Sequence, residues 1–445
     1  MKKPNLPKDF IIGTATASYQ VEGAGRIDGR TPCIWDEFSK IPGAVYKKQD
    51  GDVAVDQYHH YKEDIALMAK LGFHSYRFSV SWTRVLPNDG DTVNEKGIQY
   101  YRNICEELHR YGMKACCTIY HWDLPVELQR TGGWANRDTA YRLARFAKIL
   151  YRELGDLVDM WITINEAKCV TQLGYLTGVH APGIRDYDTF IKTVHHINLA
   201  HGLMVEEYRK TGLTAPIGIT HNLEVPRPAT RFEKDRIACA HHTAVNSEVF
   251  MGPLFKKQYP QYVTEELKWD LPIEEGDMDL ISQPIDFLGI NYYNEDAVCW
   301  SDTNMFNVEF APRFEDVTTG IGWPVTPYGL KRLLHWANDF TGGSLPIYIT
   351  ETGAACKDTL TRDGRVHDTQ RIDYLATTMQ MCEELIEEGV PLKGLFCWSF
   401  IDNYEWSYGY SKRFGIVYCD YETLKRYPKD SAYYLRDVLA GYGDY

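Results

Sequence analysis

The most constraining feature of this chain is a repeated alternation of two kinds of segment. Eight short runs rich in β-branched and aromatic residues recur at intervals of roughly 35 to 70 residues, and a longer amphipathic segment follows each of them. Parallel strands need helical crossovers, and eight such strands can close into a barrel. We therefore predict an α/β fold, a single (β/α)8 TIM barrel with extended loops at the C-terminal rim of the strands.

The strands are predicted at Phe10–Ala17, His74–Ser79, Lys114–Tyr120, Met160–Asn165, Ala215–His221, Asp286–Tyr293, Leu345–Thr350 and Leu392–Phe400. The helices are predicted at Asp56–Leu71, Glu95–Tyr111, Arg137–Leu154, Tyr187–Thr211, Phe232–Phe250, Pro327–Phe340, Thr369–Glu388 and Lys429–Leu439. Long loops are predicted at Ile27–Asp52, Thr118–Asn136 and Tyr293–Pro327. A doubly wound open sheet is the structural rival, but Gly13-Thr-Ala-Thr-Ala-Ser18 lacks the Gly-rich phosphate turn that usually marks it. No linker rich in Pro, Ser or Gly divides the 445 residues, so we predict one domain over 1–445.

Composition excludes several classes of partner. The formal net charge is −13, and no cluster of Lys and Arg offers a nucleic-acid footprint or a polybasic membrane patch. The eleven cysteines are scattered, the N-terminus lacks the apolar stretch of a signal peptide, and we find no run of about 18 apolar residues. These features predict a protein of the reducing cytoplasm. The sequence does not fix the oligomeric state, and a homo-oligomer is compatible with it.

Two glutamates follow predicted strands on opposite sides of the barrel. Glu166 ends the run Trp161-Ile-Thr-Ile-Asn165 after the fourth strand, and Glu351 ends Pro346-Ile-Tyr-Ile-Thr350 in the seventh. Catalytic groups of this fold lie at the carboxyl ends of the strands. A pair of carboxyls across a cleft is what glycoside hydrolysis requires. Either Glu alone could be an ordinary solvated acid at the start of a loop.

The other strand ends carry groups that suit a sugar, whose equatorial hydroxyls surround an apolar C–H face. They are Gln20, His121, Asn291, Tyr293, Trp398, Glu405 and Trp406. Taken singly, the two tryptophans are more often core residues. Arg77 lies inside the second predicted strand and needs a buried partner, for which Glu351 and a structural ion pair elsewhere in the barrel are equal candidates.

We predict neither a metal site nor a cofactor. The pairs His59-His60, His195-His196 and His241-His242 resemble ligand clusters, but adjacent residues on a helix do not share a face. No HExxH motif and no His–Cys zinc spacing is present.

Seven blocks in order make the chain similar to glycoside hydrolase family 1, the β-glucosidase family, from Leu6 to the last helix. They are Thr16-Ala-Ser-Tyr-Gln20-Val-Glu-Gly, Tyr76-Arg-Phe-Ser-Val-Ser-Trp-Thr-Arg84, Tyr120-His-Trp-Asp-Leu-Pro125, Thr163-Ile-Asn-Glu166, Leu288-Gly-Ile-Asn-Tyr-Tyr293, Thr350-Glu-Thr-Gly353 and Glu405-Trp406. The resemblance implies an exo-acting, retaining β-glucosidase that takes a small β-glycoside and needs no cofactor.

By the same resemblance, Glu166 is the acid/base and Glu351 the nucleophile. Asn165 would bind the 2-hydroxyl, Tyr293 would orient the nucleophile, and Trp323 would form a wall for the leaving group. The non-reducing sugar would lie against Gln20, His121, Trp398, Glu405 and Trp406. Arg77 and Asn291 would support the two carboxyls.

The chain departs from the family pattern at two positions, with Thr352 where Asn usually follows the nucleophile and Ala167 where Pro usually follows the acid/base. Several alternatives stay open: a 6-phospho-β-glucosidase using Tyr410 and Lys412, a preference for galactosides or fucosides, an endo-acting glycanase, and a catalytically silent carbohydrate-binding barrel. Intact Glu405-Trp406 favours unphosphorylated sugars, because a carboxylate at the C6 end repels phosphate.

Overall fold

The computed structural model describes residues 4–312 and 317–441, and it contains the predicted barrel. Eight parallel strands close on themselves in chain order, each hydrogen bonded to its neighbours and β8 to β1. The strands β1 to β8 are Ile11–Ala15, Ser75–Ser79, Lys114–Tyr120, Met160–Asn165, Ile217–His221, Phe287–Asn291, Ile347–Thr352 and Leu392–Trp398. All eight predicted strands are confirmed. The predictions overran most of them by one to three residues, because the strand-like residue pattern continues beyond the paired residues. The predicted seventh strand also ended two residues too early, so that Glu351 lies within β7 and not after it.

A long helix follows each strand and packs on the outside of the barrel. The helices α1 to α8 are Gln57–Lys70, Glu95–Arg110, Asp138–Leu154, Tyr187–Arg209, Glu233–Thr243, Pro327–Phe340, Thr369–Glu387 and Asp430–Leu439. The predicted fifth helix, Phe232–Phe250, is wrong in its continuity and its end. A π-helical segment, Ala244–Glu248, interrupts it, and the chain then continues as a further helix, Val249–Lys256, through Pro253.

The strand interiors are buried almost throughout, since helices cover the outside of the barrel and packed side chains fill the inside. Apolar residues therefore dominate the strands, and polar side chains concentrate at their carboxyl ends. Gly353 shows how tightly the loop after β7 packs against the end of β8: a Cβ there would lie 1.8 Å from the carbonyl oxygen of Trp398. Only glycine allows this approach.

Ordered segments, rather than bare loops, build the rim above the strand ends. The predicted loop Tyr293–Pro327 contains two short strands, Ala297–Trp300 and Val308–Phe310. Ala297–Trp300 is the central strand of a small sheet and pairs with Val308–Phe310 on one side and Arg227–Pro228 on the other. Residues 313–316 of that loop lie outside the described residues. A π-helical segment, Cys169–Leu176, follows β4, and a 3-10 segment, Trp406–Ser411, follows β8.

A buried ion network ties α8 to the loops after β7 and β8. Lys429 Nζ donates to Asp402 Oδ1 at 2.7 Å and to Asp358 Oδ2 at 2.5 Å, and these three side chains are at most 1% exposed. Arg413 reaches the other oxygen of Asp402. The loop that carries Glu405 is thereby fixed to the C-terminal helix. Within the described residues, no helix is long and apolar enough to cross a membrane.

Candidate active site

A pocket of about 860 Å³ opens at the carboxyl ends of the strands. Most of the side chains that the sequence singled out line it together, namely His121, Asn165, Glu166, Asn291, Tyr293, Trp323, Glu351, Trp398, Glu405 and Trp406. The two glutamates come from β7 and from the residue after β4, so the barrel brings together positions 185 residues apart in sequence, 351 minus 166. Arg77 and Gln20 lie behind this lining and are buried.

Two donors hold the Glu351 carboxylate, one at each oxygen. Arg77 Nη1 donates to Oε1 at 2.7 Å, and Tyr293 Oη donates to Oε2 at 2.7 Å. Both Arg77 and Glu351 are at most 4% exposed. Both bonds are charge-assisted when the carboxylate is ionised, and both stabilise its negative charge. Of the two partners that sequence allowed for Arg77, the structure contains Glu351.

The Glu166 carboxyl has a different surrounding. Asn291 Nδ2 donates to its Oε1 at 2.6 Å, and the thiol of Cys169 is its other side-chain hydrogen-bond partner. The backbone N–H of Glu166 donates to the Thr220 carbonyl at 2.8 Å, and its φ is +52°. A non-glycine residue in the left-handed region is uncommon, and it turns this side chain into the pocket at the point where the strand ends.

Two hydrogen-bonded amides lie between the two carboxyls, and their contacts determine which way the Asn165 amide points. Asn165 Oδ1 accepts from Arg77 Nη2 at 2.6 Å and from Asn291 Nδ2 at 3.0 Å. Since both partners are donors, Asn165 Nδ2 must point to His121, where it donates to Nε2 at 3.1 Å. The His121 proton therefore lies on Nδ1, which has no hydrogen-bond partner among the described residues. Burial lowers the pKa of His121, so the ring is neutral and offers this N–H to a ligand.

The surroundings of Glu166 and Glu351 affect the pKa of each carboxyl differently. Burial raises the pKa of both Glu166 and Glu351. Negative charge on Glu166 raises the pKa of Glu351 further, while Arg77 and Tyr293 lower it. Because the strongest stabilisers of negative charge contact Glu351, a proton shared by the pair resides on Glu166.

A third carboxyl, that of Glu405, lines the pocket together with the indole rings of Trp398 and Trp406. The rings of His121 and Trp398 stack at 6.0 Å, and those of His121 and Trp406 at 5.9 Å. Among the described residues, no group hydrogen bonds the Glu405 carboxyl. Burial and the charges of Glu351 and Glu166 raise its pKa to about 8.

Gln20 and Trp323 are the two remaining predicted sugar-site and leaving-group residues. Gln20 lies just outside the lining, with its Nε2 donating to Asn403 Oδ1 and to the Tyr404 carbonyl. Its Oε1 is buried and has no partner among the described residues, so it can still accept from a ligand. Trp323 is half-buried and lines the pocket, and its ring centroid lies 5.4 Å from that of Tyr293 and 5.9 Å from that of Phe414.

Both departures from the family pattern lie next to the carboxyls. Thr352 Oγ1 is 3.2 Å from Tyr374 Oη, which donates to the Tyr293 carbonyl at 3.0 Å. Thr352 thus contacts the group that holds Tyr293 beside Glu351. Ala167 is buried, and its carbonyl accepts from Thr171 within the segment that follows Glu166.

Sequence reasoning missed several residues of the site. Tyr374 on α7 and Thr350 on β7 support Tyr293 and Asn291 by hydrogen bonds. The pocket also contains a charged cluster of Lys168, Glu224 and His242. Of these three residues, only Lys168 could have been placed near the site from the sequence, because it lies two residues after Glu166. Glu224 and His242 come from a loop and a helix whose spacing does not reveal contact.

The geometry can be compared with the 6-phospho-β-glucosidase alternative, which relied on Tyr410 and Lys412. Tyr410 Oη donates to the Asp50 carbonyl and Lys412 Nζ to the Gly320 carbonyl, and neither residue lines the pocket. They therefore offer no phosphate cradle in this arrangement. Among the described residues, no group of three or more His, Cys, Asp and Glu is placed to hold a metal ion.

Known proteins match this chain over its whole length. The model of glycosyl hydrolase family 1 matches residues 2–443. Similar proteins include a 1,4-beta-D-glucan glucohydrolase of Thermotoga neapolitana and beta-glucosidase A of Thermotoga maritima; each is 43% identical, over 100% of this chain and 99% of the relative. The solved structure of the family 1 β-glucosidase from Thermotoga maritima superimposes with a TM-score of 0.96 at 42% identity, covering 99% of this chain and 100% of that one. The chain belongs to glycosyl hydrolase family 1.

Proposed function

We propose that this glycoside hydrolase is an exo-acting, retaining β-glucosidase that releases a terminal, non-reducing β-D-glucosyl residue from small β-glucosides. The observation that carries the proposal is the unequal surrounding of two buried carboxyls in one pocket, one held by Arg77 and Tyr293 and the other by an amide and a thiol. The names of the full-length relatives support the glucoside preference.

The first step needs a nucleophile and an acid. Glu351 Oε attacks C1 of the sugar, the C1–O bond to the leaving group breaks, and Glu166 gives its proton to the departing oxygen. Glu351 loses its negative charge when it becomes an ester. The pKa of Glu166 then falls, because the charge that opposed its ionisation is gone.

In the second step, Glu166 takes a proton from a water molecule, whose oxygen attacks C1 and breaks the bond to Glu351. Two inversions give net retention at the anomeric carbon. His121 Nδ1–H, Gln20 Oε1 and the Glu405 carboxyl offer a donor, an acceptor and an unpaired carboxyl to the sugar hydroxyls. Trp398 and Trp406 offer rings to its C–H face.

We propose exo action because Glu405, Trp398 and Trp406, which the family resemblance assigns to the terminal sugar, line the pocket together with the two carboxyls. We also propose a cytoplasmic location, supported by eleven cysteines that are free thiols, nine of them buried. Two further points stay predictions. One is that the enzyme takes part in the degradation of polysaccharides, and the other is that residues 1–445 form a single domain.

A kinetic panel tests the proposal. Aryl β-glucoside, β-galactoside, β-fucoside and 6-phospho-β-glucoside are compared by kcat/KM, and the first anomer formed from the glucoside is observed by NMR. We expect the glucoside among the best substrates, with β-glucose as the first product. Initial release of α-glucose contradicts the retaining mechanism. A clear preference for the 6-phospho-β-glucoside contradicts the proposed preference for unphosphorylated glucosides.

A further inference from the structure

A charged cluster of Lys168, Glu224 and His242 lies in the pocket but takes no part in the mechanism above. Lys168 Nζ forms an ion pair with Glu224 Oε1, and His242 Nε2 lies 2.6 Å from Glu224 Oε2. The exposed fractions of the three side chains are 11%, 33% and 6%. Removing a lysine and a glutamate from water is costly, so this arrangement differs from an ordinary surface pair.

The position of the cluster relates it to the leaving group. The groups proposed to hold the glucosyl unit come largely from the ends of β3 and β8, as His121, Trp398, Glu405 and Trp406 do. Lys168 follows Glu166 by two residues, and Glu224 follows the end of β5 by three. Since Glu166 must reach the glycosidic oxygen, the leaving group lies on the β4–β5 side of that oxygen.

The cluster keeps hydrogen-bonding capacity for a ligand. Lys168 has three N–H donors, and among the described residues only Glu224 accepts from it. Each Glu224 oxygen has one protein partner and a further lone pair. Asn222 lines the same side; its Nδ2 donates to Cys169 Sγ, and its Oδ1 is buried without a partner among the described residues. The residues that follow β4 and β5 thus offer the pocket both donors and acceptors.

The presence of both donors and acceptors favours some leaving groups over others. A pyranose hydroxyl both donates and accepts, so it can satisfy Lys168 and Glu224 or Asn222 together. An alkyl chain would displace water from these groups and return no hydrogen bond, which costs binding free energy. An anionic group would gain little, because Glu224 already balances Lys168, and Glu166, Glu351 and Glu405 line the same pocket.

We propose that Lys168, Glu224 and Asn222 bind the hydroxyls of a sugar leaving group, so that the favoured substrates are β-linked glucosyl sugars rather than glucosides of apolar alcohols. The inference rests on the proposed β-glucosidase function and names the substrate class of the same site.

The test compares cellobiose with n-hexyl β-glucoside in the wild type and in Lys168→Met. Both leaving groups are alkoxides that need the proton of Glu166, so any effect of Lys168 on that acid changes both rates alike. We expect the ratio of kcat/KM for cellobiose to that for the hexyl glucoside to fall roughly 10- to 100-fold, as for a lost charge-assisted hydrogen bond. The variant Glu224→Gln should lower the same ratio, and it provides the comparison if Lys168→Met does not fold.

Lys96→Met is the matched control, because Lys96 pairs with Asp28 at the surface with 70% of its side chain exposed. It should leave the ratio unchanged. An unchanged ratio in both pocket variants overturns the inference, as does a larger loss on 4-carboxyphenyl β-glucoside than on cellobiose, which would assign Lys168 to an anionic leaving group. A wild type inactive on every β-glucoside would instead overturn the proposed function.

Discussion

Arg77 Nη1 lies 2.7 Å from Glu351 Oε1, and the two side chains come from β2 and β7, 274 residues apart. The same guanidinium donates to Asn165 at 2.6 Å and to the Thr350 carbonyl at 2.9 Å. One buried cation therefore positions the proposed nucleophile and the amide that faces the substrate. This contact explains how a carboxylate can stay ionised in a pocket whose burial opposes charge.

The first prediction concerns Arg77→Met, which removes that cation. The pKa of Glu351 should rise, because Arg77 lowers it in the wild type. Since Glu351 must be ionised to attack, the acidic limb of kcat/KM against pH should move upward by about 1 unit, with kcat reduced roughly 100-fold. The pH profile on an aryl β-glucoside measures both effects. Arg102→Met, which breaks a partly exposed pair with Asp156, is the control. An acidic limb that stays in place shows that Arg77 does not hold the charge of Glu351.

The second prediction concerns Tyr293→Phe, which removes the hydroxyl that donates to Glu351 Oε2 at 2.7 Å. We expect kcat to fall about 10- to 100-fold with a smaller change in KM, because the lost bond orients the nucleophile. The acidic limb should again move upward. Tyr328→Phe removes a hydroxyl from a ring that is 66% exposed and should change neither value. Equal effects of the two substitutions contradict this role for Tyr293.

The third prediction concerns stability and pH in the ligand-free protein. The pKa of Glu405 is raised to about 8, well above its value of roughly 4.3 in an unfolded chain. Between these values the folded state binds more protons than the unfolded state, so Glu405 lowers stability as pH rises from 5 to 8. Glu405→Gln cannot ionise, and we expect its Tm relative to wild type to increase by roughly 1–3 °C between pH 5 and pH 8. A Tm difference independent of pH would show that Glu405 titrates normally.

The fourth prediction concerns the ion network under the Glu405 loop. Lys429→Met leaves Asp402 and Asp358 buried without their shared cation and should lower the free energy of unfolding by about 3–5 kcal/mol. Lys331→Met also removes a lysine that bridges two carboxylates, Glu384 and Glu388, but at the surface, and should cost at most about 1 kcal/mol. Denaturant titration measures both. Similar losses in the two variants contradict a special role for the buried network.

The sequence predicted the barrel well, because alternating strands and helices have distinct periodicities and polar residues mark the strand ends. Glu166 and Glu351 could be found for the same reason. The interruption at Ala244–Glu248 and the helix that runs through Pro253 were missed, since tertiary packing overrides the usual stop signal of proline.

Contacts between loops were the least predictable part of the site. Lys168, Glu224 and His242 are separated by 56 and 18 residues and share no periodicity. Tyr374 lies on a helix outside the barrel, yet it hydrogen bonds the Tyr293 backbone. Such pairs depend on how loops fold over the strand ends, which local patterns do not encode.

The most direct test of the central claim is the product formed by Glu351→Gly with azide. Removing the nucleophile should abolish turnover. Azide occupying its space should attack C1 of an activated aryl β-glucoside, displace the aryl alcohol and give an α-glucosyl azide, identified by NMR. Glu166→Ala, with the nucleophile intact, should instead give the β-glucosyl azide. Full activity of Glu351→Gly without azide, or a β-glucosyl azide from that variant, would contradict the assignment of Glu351.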